Sequence, residues 1–445
     1  MNMVKTRVFA LILVLASGWV AAQSLTLEEA QAYAEEHSFM ANNASLEVQK
    51  ARRIVNKTLA QGFPQITANA SYINNIELPV QVVPAEFFGG EPGTFAEVKF
   101  GTEQTMNWSA TLNQLIFDGS YIVGVQGAKA YLRTSRDVFE KTTIELRDIV
   151  TQLYAQVLVS RENARILEES VTQLQQLATE TKALQAEGFA EVEDVDQLQI
   201  LLNQTEQQLA FAQNFAEITL EQLKFNIGYP AEDALELGST LQDLSTGALS
   251  LLDGGRDFAF GEHIDYRIQL DQLEQRQLQM KLAQSNYLPR ISGVLNVGQN
   301  SFSDNRFNFF SNDGAWFTNS YAGVNVSLPL FTSSLNRNNV AEAKLAMQQA
   351  ERALSEKERE LKLNAVRAKA NYELAVSNYE SSDAQVDLSA RILTKAREKY
   401  SEGMTSSLEL TQIQNQYLDR QNGYTQAVFN LISAYTQLQK ALNQQ

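Results

Sequence analysis

Few residues in this chain have types and spacings that could do chemistry. Two histidines, His37 and His263, each follow a glutamate near the start of a helical segment. There is no cysteine and no pair of histidines at metal-ligand spacing, so a metal centre is not expected. No Gly-rich phosphate loop, nucleophile elbow or triad pattern occurs, and Gly254-Gly255 reads as a turn. The expectation is therefore no enzymatic activity and no cofactor. What remains is a concentration of carboxylates. Residues 186–197 read AEGFAEVEDVDQ, which places Glu191, Glu193, Asp194 and Asp196 just after Gly188 and Phe189. Alone, this is a helix C-cap followed by an acidic first turn. Residues 401–412 read SEGMTSSLELTQ, 215 positions further on. Glu187-Gly188 matches Glu402-Gly403, Phe189 falls at Met404, Asp194 at Glu409 and Gln197 at Gln412. The chemistry on offer is electrostatic: carboxylates grouped at two turns can cap helices or repel and select ions.

The elements that must position these turns are duplicated as well. Gly62-Phe63-Pro64-Gln65-Ile66 resembles Tyr287-Leu288-Pro289-Arg290-Ile291, Leu115-Ile116-Phe117 resembles Pro329-Leu330-Phe331, and Ala128-Lys129 resembles Ala343-Lys344. The order is the same in both halves, as in tandem repeats. The reading is a signal peptide at 1–22, a first repeat at 23–228, an equatorial linker at 229–261 rich in Gly, Asp and Ser, and a second repeat at 262–445. In the signal, Lys5 and Arg7 precede the apolar run Val8–Ala16 and the small residues Ala21-Ala22. The run is too short to span a bilayer as a helix.

Each repeat opens with a helix, about 26–61 and 262–286. Two strands follow in each, about 64–76 and 104–117, then 289–301 and 319–331. Ile66, Ala68, Ala70 and Tyr72 alternate with Gln65, Thr67, Asn69 and Ser71, and Met106, Trp108, Ala110 and Leu112 with Asn107, Ser109 and Thr111. The second repeat alternates likewise through Ile291, Leu295 and Val297, and through Ala322, Val324 and Val326. One face is apolar and the other carries Asn, Ser and Thr, which suits a membrane β-barrel or the edge of a soluble sandwich with one wet face. The signal peptide, the repeat and the aromatic loop ends favour the membrane. Loops at about 77–102 and 303–318 hold Gly, Pro and aromatics. From Lys129 to Glu187 no proline or glycine interrupts, giving about 90 Å of helix. Leu146, Val150, Leu153, Val157, Ser160, Ala164, Leu167, Val171, Leu174 and Ala178 step by 4 and 3, a coiled-coil seam. The seam recurs 215 residues later from Leu361 to Leu393 and resumes after each glycine, ending in Arg420, Tyr424 and Ala427 in the second repeat. Each glycine turn thus joins the arms of a helical hairpin. Four strands cannot close a barrel, and open edges are not tolerated in lipid, so several chains must share one. The formal charge of −16, or −18 once Lys5 and Arg7 leave with the signal, argues against nucleic acid as a partner.

The duplicated Pro-led strand pairs, the long helices after Phe117 and Phe331, the Gly188 and Gly403 turns and the Leu223–Gly228 ending resemble the TolC-like outer-membrane efflux proteins. The resemblance covers nearly the whole mature chain. It implies a mixed fold: a homotrimer with a membrane β-barrel of twelve strands and a coiled-coil periplasmic tunnel of twelve helices. It places the protein in the outer membrane of a Gram-negative bacterium, in contact with outer-membrane lipid. The partners would be a periplasmic adaptor and a proton-driven or ATP-driven inner-membrane pump. The implied function is passive conduction in a tripartite efflux system, multidrug efflux included. The tips around Gly188, Phe189, Gly403 and Met404 would dock the adaptor. Asp194 would take part in the links that hold the periplasmic gate shut, and Tyr400 would be the tyrosine that reaches it. Glu409 would stand in an acidic ring, with Glu191, Glu193 and Asp196 adding to an acidic mouth. Two positions depart from the family pattern: Thr405 stands where an arginine is expected, and Gln412 where a second ring acid is. A charge-assisted Asp–Arg link is thereby lost. Residues Ser406-x-x-Glu409 also read as a capping box. Two other functions fit the sequence: the exit duct of a type I protein secretion system, and a secreted coiled-coil structural protein with no pore.

Overall fold

The computed structural model describes residues 23–250, 260–304, 307–311 and 314–443. The signal expected at 1–22 and the turn expected at Gly254-Gly255 lie outside the described residues. In chain order the elements are β1 (Gln23–Leu25), α1 (Leu27–His37), α2 (Phe39–Ala60), β2 (Gln65–Asn74), β3 (Val80–Pro84), β4 (Phe95–Lys99) and β5 (Gln104–Asp118). Then come α3 (Gly119–Ala186), α4 (Val192–Ile227), β6 (Leu235–Leu237), α5 (Leu241–Leu249) and α6 (Ile264–Ser285). The chain ends with β7 (Arg290–Ser303), β8 (Trp316–Ser327), α7 (Leu335–Ser401) and α8 (Ser407–Ala441). Helices α3 and α7 have 68 and 67 residues, and α4 and α8 have 36 and 35, so the two halves carry helices of matching length.

Two compact units divide the chain. One holds residues 49–134 and 271–352, with a four-stranded antiparallel sheet in the order β2-β5-β7-β8. The register lines up like with like. Ile66, Leu112, Leu295 and Ala322 form one row across all four strands, and Ala68, Ala110 and Val297 the next. On the opposite face Thr67, Thr111 and Asn296 are neighbours, and Asn296 Nδ2 donates to Thr111 Oγ1 at 2.7 Å. Ser71 Oγ donates to Asn107 Oδ1 at 2.9 Å. Much of the apolar face is uncovered: Ile66 is 71% exposed and Val324 and Val326 each 65%. A bulge between Leu115 and Phe117 shifts the pairing by one residue and brings Phe117 opposite Ile291, onto the apolar face. The loop expected at 77–102 contains a small hairpin, β3 with β4. Its cause is local: Val80, Val82 and Val83 favour extended backbone, while Gly89 and Gly93 take positive φ between the strands. At the end of this unit Arg133 pairs with Asp271 at 2.9 Å and with Glu274.

The other unit holds residues up to 48, 135–270 and from 353 onward. Its core gathers Leu25, Ala30, Ala34, Leu146, Val150, Tyr154, Val157, Leu223, Ile227 and Leu235. The buried Tyr154 hydroxyl donates to Leu25 O at 2.8 Å and accepts from Ser239 N at 2.9 Å. The coiled-coil seam packs as spaced. Leu146, Val150, Val157, Ser160 and Leu174 are buried on α3, and Leu361, Ala365, Ala368, Tyr372 and Leu393 on α7. Arg420 departs from the seam; it is exposed and reaches Gln385 Oε1 at 3.2 Å, because its charge seeks water. The expected single first helix is two: buried Ser38 is extended at φ −64 and ψ 145, and its hydroxyl accepts from Ala41 N at 3.1 Å, starting α2. The stretch expected as a linker forms β6, parallel to β1, and α5, whose Thr240–Asp243 capping box starts the helix and whose Ala248 packs on Tyr372, Leu431 and Leu438.

Gly228 ends α4 at φ +77, and a Cβ there would lie 2.4 Å from His37 O. Gly188, at φ +82, has nothing within 4 Å. Gly228→Ala is therefore expected to cost about 2–4 kcal/mol from the left-handed backbone and the clash together, and Gly188→Ala about 1 kcal/mol. Urea unfolding midpoints of the two variants check the difference; equal losses would contradict this packing.

Candidate functional site

The two helix tips are built alike. At the first, Gly188 N donates to Gln185 O at 3.0 Å and Phe189 N to Leu184 O at 2.9 Å. At the second, Gly403 N donates to Tyr400 O at 3.0 Å and Met404 N to Lys399 O at 2.8 Å. Both glycines are left-handed, at φ 82 and φ 71. This pairing satisfies the last carbonyls of α3 and α7, and it requires a residue without a Cβ penalty. The side chains that follow, Phe189 and Met404, stand 79% and 64% exposed. An apolar side chain held out on a tight turn is suited to contact with another surface.

The carboxylates then start the return helices. Glu191 is the N-cap of α4, and its backbone N–H donates to Asp194 Oδ2 at 3.4 Å. Glu193 and Asp196 are exposed beside them. At the second tip Ser406 caps α8 and accepts from Glu409 N at 3.2 Å. Thr405, where an arginine was expected, donates through Oγ1 to Glu409 Oε2 at 2.6 Å. The threonine thus ties the glutamate within its own turn. Gln412 is exposed one turn further along α8.

Tyr400 lies three residues before the second glycine and is half-buried between α7 and α3. Its hydroxyl is 3.3 Å from Thr181 Oγ1 on α3, not bonded to Asp194 as the resemblance implied. Asp194 is nonetheless near enough to act on it. Burial pushes the Tyr400 hydroxyl up, the Asp194 charge adds to this, and the Thr181 bond opposes it. Thr181 is almost fully buried and gave no sign in the sequence, where a threonine inside a long helix reads as neutral. Beneath the tips Leu393, Ala396 and Leu410 pack with Leu177, Tyr400, Ile413 and Tyr417, which joins α3, α7 and α8 just before the turns.

The histidines belong elsewhere. His37 stacks on Tyr33 with ring centroids 4.1 Å apart and donates from Nδ1 to Tyr33 O at 3.1 Å. His263 is buried, and its Nδ1 accepts from Asp265 N at 3.2 Å at the start of α6. Burial holds its pKa below the usual imidazole range. Among the described residues no three His, Cys, Asp or Glu side chains are grouped to hold a metal ion. No described helix is long and apolar enough to cross a membrane.

No curated protein matches the chain. Solved structures share its fold. The outer membrane channel CmeC of Campylobacter jejuni is 15% identical with a TM-score of 0.72, over 94% of this chain and 85% of its own. VceC, an outer membrane protein of Vibrio cholerae, is 15% identical with a TM-score of 0.68, over 94% and 95%. The open-state MtrE outer membrane channel of Neisseria gonorrhoeae is 18% identical with a TM-score of 0.68, over 94% and 88%. A family model described as outer membrane efflux protein matches residues 30–229 and 269–444. By that match, which takes in the four-stranded sheet, the long helices and both tips, the chain belongs to the outer membrane efflux protein family.

Proposed function

We propose that the protein is the outer-membrane exit duct of a tripartite efflux system, built as a homotrimer from two tandem repeats per chain. The observation that carries this reading is the open sheet. Its edge strands β2 and β8 each have one unpaired side among the described residues, and its apolar face is covered only at the end where Tyr72 meets Phe307 and Phe309. A lipid-facing sheet must pair every backbone group, so it has to close with other copies. Three copies of four strands give a barrel of twelve.

The helices carry matching loose ends. On α4 Phe211, Phe215, Ile218 and Phe225 are exposed and spaced 4, 3 and 7 apart. On α7 Leu363, Val366, Leu374, Leu388 and Ile392 are exposed along one heptad-like stripe. Apart from the Phe225–Phe39 ring contact these stripes have little intrachain cover among the described residues, and a neighbouring copy would cover them. Three copies of α3, α4, α7 and α8 supply the twelve helices of a periplasmic tunnel. The tips close it: Tyr400 with Thr181 ties the hairpins, and Glu409, with Asp194, Glu191, Glu193 and Asp196, makes the entrance negative. Phe189 and Met404 meet the periplasmic adaptor, which couples the duct to an inner-membrane pump. The duct itself does no chemistry.

Light scattering of the detergent-solubilised protein should give the mass of three mature chains. Phe211→Asp combined with Ile218→Asp should release monomers by charging the α4 seam. In planar-bilayer recordings the wild type should conduct with a preference for cations. Asp194→Ala and Glu409→Ala should change conductance and lower that preference; unchanged selectivity in both would leave these carboxylates as helix caps alone. A protein that never inserts or conducts would defeat the proposal.

A further inference from the structure

Arg397 lies on α7 less than two turns before the second tip, half-buried against α3 and α8. Its Nη1 donates to Gln173 Oε1 and its Nη2 to Gln414 Oε1 at 2.7 Å. Among the described residues no carboxylate lies within ion-pair distance of it, although burial lowers its pKa. A guanidinium offers five N–H donors, and these two bonds engage two of them, both to neutral amides. An enclosed cation without an anion is costly. Gln414 is 1% exposed, and Arg397 fixes which way its amide points, because only the oxygen can accept from the guanidinium. That leaves Gln414 Nε2 buried with no acceptor.

Both side chains line one cleft of about 380 Å³, walled by Leu174, Leu177 and Leu410. Glu180 and Glu398 stand at its exposed rim and are engaged elsewhere, Glu180 by Gln176 at 2.9 Å and Glu398 by Lys395 at 3.1 Å. The cleft therefore combines an unneutralised arginine, an orphaned amide donor and room for a small guest.

We propose that this cleft is a binding site for a small carboxylate anion. The guanidinium donates to one carboxylate oxygen. It keeps its bond to Gln414 Oε1 and reaches the guest through its remaining N–H groups, so the guest supplies the missing charge. This inference does not depend on the conduit reading, since it concerns one chain's own side chains.

Thermal unfolding of the full-length protein, followed by circular dichroism in fixed urea, tests it with sodium acetate as the probe. Acetamide, nearly isosteric and neutral, is the control, and ionic strength is held constant. Acetate should raise the midpoint by about 2 °C, saturating with concentration, and acetamide should not. The rise should vanish in Arg397→Gln. It should also vanish in Gln414→Glu, which places a carboxylate beside Arg397 permanently and should itself raise the midpoint. Equal effects of acetate and acetamide on the wild type, or an acetate effect that survives in Arg397→Gln, would overturn the proposal. So would a Gln414→Glu variant that is destabilised and still responds to acetate.

Discussion

The unpaired backbone along β2 and β8 is the constraint on which the rest depends. Each edge presents a row of N–H and C=O groups that water can satisfy and hydrocarbon cannot. The sheet's other property, a face of Ile66, Leu112, Leu295, Val324 and Val326 with little or no cover, calls for hydrocarbon. Closure of the edges onto further copies, as proposed, would meet both demands. The rows of Asn, Ser and Thr on the opposite face then line an interior, where hydrogen bonds such as Asn296 to Thr111 hold the strands in register.

At the helix tips the same carboxylates serve two purposes. Asp194 accepts a backbone N–H at the start of α4, and Glu409 sits in the first turn of α8 with its backbone bound by Ser406. A negative charge is favourable at a helix start whatever lies nearby. The capping role accounts for their positions without any gate, so a gating role needs a consequence that capping lacks. Thr405 sharpens this point. In place of a long cation that could reach another hairpin, it is a short hydroxyl that bonds its own turn at 2.6 Å. The contact that Tyr400 makes across to the first hairpin is instead neutral, with Thr181.

Much of this architecture could be read from period and punctuation. Alternation at 65–72 and 105–113 marks β2 and β5 because a half-wet strand must repeat every two residues. Steps of 4 and 3 mark the buried stripe on α3 because a helix pair must repeat every three and a half. What stayed hidden depends on contacts made across the chain or on a single residue. The bulge beyond Leu115 is one residue in a continuous apolar run, and no periodicity isolates it. The break at Ser38 could have been found, since serine is a common N-cap, but the helical pattern runs on through it. The hairpin β3–β4 was masked by its Gly and Pro residues. Thr181, Arg397 and Gln414 sit at ordinary polar positions of long helices; their importance comes from what surrounds them in space.

Closure of the barrel between copies is the central claim, and the absence of cysteine makes it directly measurable. Asn69→Cys on β2 would be combined in turn with Asn319→Cys, Tyr321→Cys, Gly323→Cys or Asn325→Cys on β8, all on the polar face. The products of oxidation in outer membranes would be resolved on denaturing gels. The account predicts that at least one register gives a ladder of monomer, dimer and trimer that stops at three, while single-cysteine variants stay monomeric. Cross-linked ladders that run past three, or no cross-link in any register, would contradict it.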